Sequence, residues 1–348
     1  MRTIANTLWF VCVAAALSLE LFSQSAPFEQ AMQLFQQRQW AEAAAAFAEC
    51  EKNAPGKTSA LLYRGKSLVN LGEFDDAATA LESYAGNHPQ SEDAAYLLAY
   101  IRFRQNKPKD SLQLFNDAAK LKTPTADDLK IVALDYVLLN DYDDAARYLE
   151  ESLAMDPANL ETRYHLGRVR YQQNRFDEAI AAFQEVLRRD PGNVKAYDNL
   201  GLSLEAKNET EPAIAAYHKA IALDEPSATH NDQPYLNLGA LLEKSNRTEE
   251  AISWLIQAST IAPTNGKAHY QLARAYFELN RLEKARTEAE KAVSLDAGES
   301  SDHYLLGRIY QRTGENDLAK EQFRITEQLV KLKGSASTSG MTSGMNPR

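Results

Sequence analysis

Residues 194–226, VKAYDNLGLSLEAKNETEPAIAAYHKAIALDEP, decide how this chain folds. Apolar and small residues recur at three- and four-residue intervals on both sides of Asn208, the pattern of two amphipathic helices with a turn between them. Gly201 and Ala213 stand twelve positions apart, one in each helix. Two antiparallel helices can cross closely there, because no larger side chain forces their axes apart. Asn208 tolerates the left-handed conformation that ends a helix. Pro212 suits a helix's first turn, and Pro226 stops the second helix. The stretch therefore predicts a helical hairpin.

The same spacing runs through most of the chain. Gly or Ala stands at Ala31, Gly65, Ala99, Ala133, Gly167, Gly201, Gly239, Ala273 and Gly307, each 34 residues after the last except for one step of 38. A second small set follows twelve residues later, at Ala43, Ala77, Ser111, Ala145, Ala179, Ala213, Ala251, Ala285 and Ala319. The turn position carries Gly72, Asn106, Asn140, Asn174, Asn208, Asn246, Asn280 and Gly314, with Arg38 as the misfit. Pro55, Pro89, Pro124, Pro157, Pro191, Pro226 and Pro263 close the units. A register this regular marks a solenoid, in which each hairpin buries its apolar face only against its neighbours.

Leu precedes the first small residue in Leu166-Gly167, Leu200-Gly201, Leu238-Gly239 and Leu306-Gly307. Ala follows twelve residues on, and four after that comes an aromatic or Leu, as at Phe47, Leu81, Phe115, Leu149, Phe183, Tyr217, Leu255 and Phe323. With the terminal Pro, this pattern resembles the tetratricopeptide repeat. Nine units start at Gln24, Thr58, Glu92, Ala126, Leu160, Val194, Asp232, Gly266 and Ser300. Units 1, 3, 4 and 8 depart most, with Ala for Gly, Ser111 for Ala in unit 3 and Ala289 at the aromatic slot of unit 8. The resemblance implies an all-α fold, a right-handed superhelical solenoid of about nine hairpins.

The expected organisation is a signal peptide over 1–25, a repeat array over 26–333 and a tail over 334–348 too poor in apolar residues to order itself. Arg2, the apolar run Leu8 to Leu19 and the small-residue exit Ser23-Gln24-Ser25 have the form of a secretory signal cut before Ala26. The run is too short to span a bilayer, so no transmembrane segment is expected in the mature chain, which would be periplasmic or secreted. The mature chain then keeps Cys50 as its one cysteine and can form no internal disulfide. The step of 38 places four added residues in the loop Ser227 to Asn231.

Composition offers little chemistry. None of His88, His165, His218, His230, His269 and His303 has the close helical spacing to a second His and a Glu that metal hydrolases use. No phosphate loop or nucleophile elbow occurs in the array, so neither catalysis, a cofactor nor a metal is expected. The formal net charge of −10 argues against nucleic-acid binding, which calls for a basic stripe.

Binding is the expected function. The resemblance places the second, fifth, sixth, ninth, twelfth and thirteenth residues of each unit on a concave groove. Ten cations and eight carboxylates occupy those positions, so the excess negative charge lies elsewhere. Tyr164 with Arg168, Tyr270 with Arg274, and Tyr304 with Arg308 repeat one helical turn apart, with Tyr171 and Phe277 extending two of the pairs. Tyr and Arg are favoured at binding hot spots. A ladder of amides and imidazole, His165, Asn199, Asn237 and Gln271, occupies the sixth position of units 5 to 8; in some family members Asn there grips a peptide backbone. The expectation is a scaffold that holds an extended peptide or protein segment, an acidic stretch or a terminal carboxylate, in cell-envelope assembly or secretion. The rival expectation is a self-associating repeat protein whose groove is filled by a second copy or by its own terminus.

Overall fold

The computed structural model describes residues 27–53, 58–224 and 231–342; the expected signal peptide, most of the four-residue insertion and the end of the tail lie outside the described residues. Within them the chain forms eighteen helices and no strand. Helix α1 covers 27–36 and is followed by α2 (Trp40–Asn53), α3 (Ser59–Leu71), α4 (Phe74–Asn87), α5 (Glu92–Arg104), α6 (Pro108–Ala119), α7 (Ala126–Leu138) and α8 (Tyr142–Met155). Then come α9 (Leu160–Gln172), α10 (Phe176–Arg189), α11 (Val194–Ala206), α12 (Thr210–Asp224), α13 (Gln233–Lys244) and α14 (Thr248–Ile261). The series closes with α15 (Gly266–Glu278), α16 (Leu282–Leu295), α17 (Ser300–Thr313) and α18 (Asn316–Thr342). Odd-numbered helices are the first members of the hairpins and even-numbered helices the second. The unit starts Glu92, Ala126, Leu160, Val194, Gly266 and Ser300 read from sequence coincide with first-helix starts, and Thr58 and Asp232 precede theirs by one residue. Gln24 lies outside the described residues.

The turns explain this agreement. Arg38, Asn106, Asn140, Asn174, Asn208, Asn246, Asn280, Gly72 and Gly314 all have positive φ, between 57° and 87°. The residue after each donates its amide five positions back, as Lys107 does to the Arg102 carbonyl at 2.9 Å and Arg281 to that of Tyr276 at 2.8 Å. This bond closes the first helix with its last carbonyls satisfied and turns the chain into the second. Asn280→Val, which needs the same φ of 58° without an amide's tolerance for it, is expected to cost about 1–2 kcal/mol in urea unfolding. Asn280→Gly is expected to leave the midpoint nearly unchanged.

The chain divides after Thr162 into two compact units. In the second, one continuous core runs from Ala179 through Tyr217, Leu238 and Tyr276 to Ala319. In the first, the buried residues form smaller separate clusters, one around Phe47, one around Leu81 and Ile101, and one around Phe115 and Val132. Both sets of small residues are buried, and the large residue four positions on fits into the space they leave: Phe47, Leu81, Leu149, Phe183, Tyr217 and Leu255 are each 0% exposed. His269 and His303, at equivalent positions of consecutive hairpins, are buried wall residues. His269 lies 2.6 Å from Glu288 and 3.1 Å from the Pro263 carbonyl, and His303 repeats the arrangement with Gln322 and Ala297.

The expected tail begins at Gly334; helix α18 runs into it as far as Thr342, and residues 343–348 lie outside the described residues. Extending a formed helix fixes one residue per added hydrogen bond, without the cost of a new nucleus, so a sequence too polar to start a helix can still continue one.

Candidate functional site

In the second unit α15 and α17 lie side by side and carry the Tyr and Arg pairs on one wall. Tyr270, Arg274, Phe277 and Glu278 from α15 and Tyr304, Leu305, Arg308 and Arg312 from α17 enclose an open cavity of about 380 Å³. Five of the residues singled out from sequence, Tyr270, Arg274, Phe277, Tyr304 and Arg308, thus meet in one place. At its centre is Phe277, 6% exposed, with the guanidinium carbons of Arg308 and Arg312 at 4.8 and 5.3 Å from its ring centroid. Arg308 also lies 5.9 Å from the ring of Tyr304, which is 51% exposed. Cation–π contact holds both guanidinium groups over the aromatic floor without consuming their N–H donors. No carboxylate among the described residues pairs with either of them. Arg312, absent from the Tyr and Arg pairs, is a part of the site that the pairwise pattern missed; its spacing one turn beyond Arg308 was the available signal.

Arg274 is also engaged within the protein. Its Nε and second terminal nitrogen donate to both oxygens of Glu243 on α13, at 2.5 and 2.9 Å, and the Glu243 side chain is 1% exposed. Burial pushes the Glu243 carboxyl above its ordinary pKa, and Arg274 pulls it back. A buried carboxylate held by one arginine is a structural pair, because removing the cation leaves an uncompensated charge. Arg274 therefore ties neighbouring first helices together and forms a wall of the cavity.

The amide ladder is largely used within the protein. Asn237 is buried; it donates to Asp198 at 2.9 Å and accepts from Gln233 at 2.8 Å. Burial raises the Asp198 carboxyl to about 6, with Asn237 opposing the shift. Asn199 donates to the Tyr164 hydroxyl at 3.1 Å and to its own helix at Lys195. His165 stands edge-on to Tyr164, their ring centroids 5.6 Å apart, and Tyr171 packs against Phe176. Gln271 alone keeps an open acceptor: its Oε1 is buried with no hydrogen-bond donor. It lines a second cavity of about 370 Å³ with Lys267, Asp296, Glu299 and Asp302, separated from the first by the shared wall of Tyr270. Around Tyr164, Arg168 is exposed.

In the first unit a larger cavity, about 520 Å³, opens among α3, α5, α6 and α7. Beside it lies Asp135 of α7, fully buried, with neither carboxylate oxygen receiving a hydrogen bond. Burial pushes this carboxyl up to about 7; the neighbouring Ser111 hydroxyl opposes the shift, but donates its proton to the Ala99 carbonyl at 2.9 Å. Nothing in the motifs points to Asp135, although the repeat itself carries the signal. The tenth residue of the other units from 2 to 9 is Ser67, Ile101, Val169, Ser203, Leu241, Ala275 or Ile309, all buried and all uncharged.

Among the described residues no group of three His, Cys, Asp or Glu is placed to hold a metal, and no helix is long and apolar enough to cross a membrane.

No curated protein matches the chain in sequence. Solved structures do resemble it in fold. A chain of the APC/C hetero-tetramer Cut9-Hcn1 shares 16% identity over 81% of this chain and 55% of that one, with a TM-score of 0.58. Yeast Tom70 shares 21% identity over 85% of this chain and 62% of its own, with a TM-score of 0.55. A tetratricopeptide repeat protein from Parabacteroides merdae shares 14% over 73% of this chain and 98% of its own, with a TM-score of 0.56. The chain spans little more than half the length of the first of these. Family models of the tetratricopeptide repeat match residues 64–126, 133–194 and 164–228, then 232–265, 255–309 and 303–324. Together they cover well over half the sequence, and the fold they describe is that of a protein-interaction scaffold: the chain belongs to the tetratricopeptide repeat family.

Proposed function

We propose that the second unit binds an extended protein segment on the wall formed by α15 and α17, and that a carboxylate of that segment, terminal or from Asp or Glu, sits between Arg308 and Arg312. One observation carries this reading: two guanidinium groups held over Phe277 with no acidic partner among the described residues, in an open cavity bordered by Tyr270 and the exposed Tyr304. Guanidinium groups present forked donors that match a carboxylate, and aromatic neighbours supply contact area at small entropic cost. Gln271, with its open acceptor beyond Tyr270, suits a backbone N–H of the same segment.

A peptide array displaying free C-termini, with an amidated duplicate of each peptide, tests this reading. A subset of free-acid peptides is expected to bind the protein, with their amidated duplicates about tenfold or more weaker, since losing a charge-assisted hydrogen bond costs about 1.5–3 kcal/mol. Arg308→Glu with Arg312→Glu is expected to remove that binding and leave helicity unchanged. Binding that ignores both the amide cap and the double substitution would place the partner elsewhere.

The exported location and a role in envelope assembly or secretion belong to the same proposal. Their support is the charged start at Arg2, the short apolar run and the small residues at Ser23 and Ser25. Intact-mass measurement on protein from the envelope fraction is expected to give a chain beginning at Ala26; a chain retaining Met1 to Ser25 contradicts cleavage.

A further inference from the structure

The cavity in the first unit has a cause in the sequence. Helix α6 has 12 residues where α4 and α8 have 14, ending at Ala119, and the chain then runs through Pro124 to the capping box of Thr125 and Asp128 that starts α7. The missing half-turn leaves a gap walled by Tyr96 and Tyr100 of α5, Phe115 of α6 and Val132 of α7. The charges at its mouth are matched: Lys66 pairs with Asp93 at 2.7 Å, and Lys130 with Asp127 at 3.0 Å and Glu161 at 2.7 Å. Asp128 accepts from the Thr125 amide.

Two hydroxyls of the lining spend their protons within the protein. The Ser111 hydroxyl donates to the Ala99 carbonyl, so its oxygen offers only lone pairs to the cavity it lines. The Tyr96 hydroxyl donates to the Lys122 carbonyl at 2.6 Å. Behind Ser111 lies Asp135, one turn beyond the cavity-lining Ile131 and Val132 and with two unpartnered oxygens. A ligand complementary to such a base brings several donors and a positive charge on an apolar stem.

We propose that this cavity receives a lysine side chain of a bound protein segment, its methylenes between Tyr96, Tyr100 and Phe115 and its ammonium at Ser111, with Asp135 as counter-charge. An ammonium is compact and carries three donors, which suits the lone pairs of Ser111 and Asp135, and aromatic faces attract a cation. The site lies in a different unit from the carboxylate site and does not depend on it. Only burial and the Ser111 hydroxyl act on the Asp135 carboxyl; Lys66, Lys122, Lys130, Asp93, Asp127 and Asp128 around the mouth do not shift it. Because the ammonium needs the ionised carboxylate, affinity should be level above about pH 7 and fall roughly tenfold per unit below it.

The full chain titrated with N-α-acetyl-lysine methylamide, and separately with its norleucine analogue, tests the assignment through the ring signals of Tyr96 and Phe115. Saturable shifts with the lysine probe at alkaline pH, weakened in acid and small with norleucine, are expected. Asp135→Asn should abolish both the lysine preference and its pH dependence. Asp135→Ser provides a second neutral variant, copying Ser67 and Ser203 at the equivalent position, should the asparagine fail to fold. Equal binding of the two probes, or lysine binding unchanged in a folded neutral variant, overturns the proposal and leaves an apolar pocket.

Discussion

Gly201→Leu is expected to destabilise the second unit by about 3 kcal/mol or more, at the upper end of what overpacking a core costs. A Cβ at Gly201 alone would stand 2.5 Å from Cε1 of Tyr217 and 2.7 Å from Cδ1. Tyr217 has nowhere to go: it is 0% exposed, and its hydroxyl donates to Glu205 at 3.3 Å. The helices α11 and α12 must separate instead, and α11 also packs on α10 and α13. In a stack stabilised by nearest-neighbour interfaces the damage should spread. Hydrogen exchange is expected to accelerate in α10 to α13 while α3 to α6 keep their protection. Gly86→Ala supplies the contrast, since nothing lies within 4 Å of a Cβ there and α4 should gain about 0.5–1 kcal/mol.

Asp135 should make the first unit less stable as pH rises. Its carboxyl goes from an ordinary 3.8 to about 7 in the folded chain, so the folded state holds a proton that the unfolded state releases. The sign follows: full stability below about pH 4, progressive loss between about 4 and 7, and a lower plateau above. A shift of this size corresponds to a difference on the order of 4 kcal/mol between the two plateaus. Asp135→Ser is expected to remove that slope and to raise the alkaline stability by several kcal/mol. Ser67 and Ser203 show how serine fits this position, each donating to the carbonyl four residues back at 2.8 Å. Urea unfolding followed at acid and alkaline pH reads the effect; parallel curves for the two proteins would remove the buried charge from the account. The same substitution is the one that should abolish lysine binding, so a stabilised protein that no longer binds is the expected signature of a carboxylate kept for a ligand.

The fold was legible because the repeat shows each structural requirement nine times. Asn at a left-handed turn, Gly or Ala at a crossing and Phe, Tyr or Leu opposite it are choices set by local backbone and packing, and the structure places them where the spacing put them. Even the misfit Arg38 adopts the left-handed turn, at φ 59°, because the hairpin on either side fixes it. The co-location of Tyr270, Arg274, Tyr304 and Arg308 was legible for the same reason, since the fifth and ninth positions of adjacent first helices must lie side by side. What the spacing could not show is which groups on that wall are already engaged. Arg274 and Arg308 are equivalent in sequence, but Glu243 reaches the first and no carboxylate among the described residues reaches the second. Asn199 and Asn237 are likewise equivalent, and only Asn237 is buried against an aspartate. Such differences depend on what the neighbouring unit presents, which a repeat pattern averages away.

Arg308 and Arg312 are proposed as the cationic half of a carboxylate site. Nitrogen-15 NMR of the arginine Nε–H groups during titration with an array-selected free-acid peptide tests it most directly. Carboxylate binding between the two side chains predicts large, saturating shifts at Arg308 and Arg312, with Arg274 little changed because Glu243 already holds it. Shifts confined to other arginines, with the Arg308 and Arg312 signals unmoved at saturation, would contradict the claim.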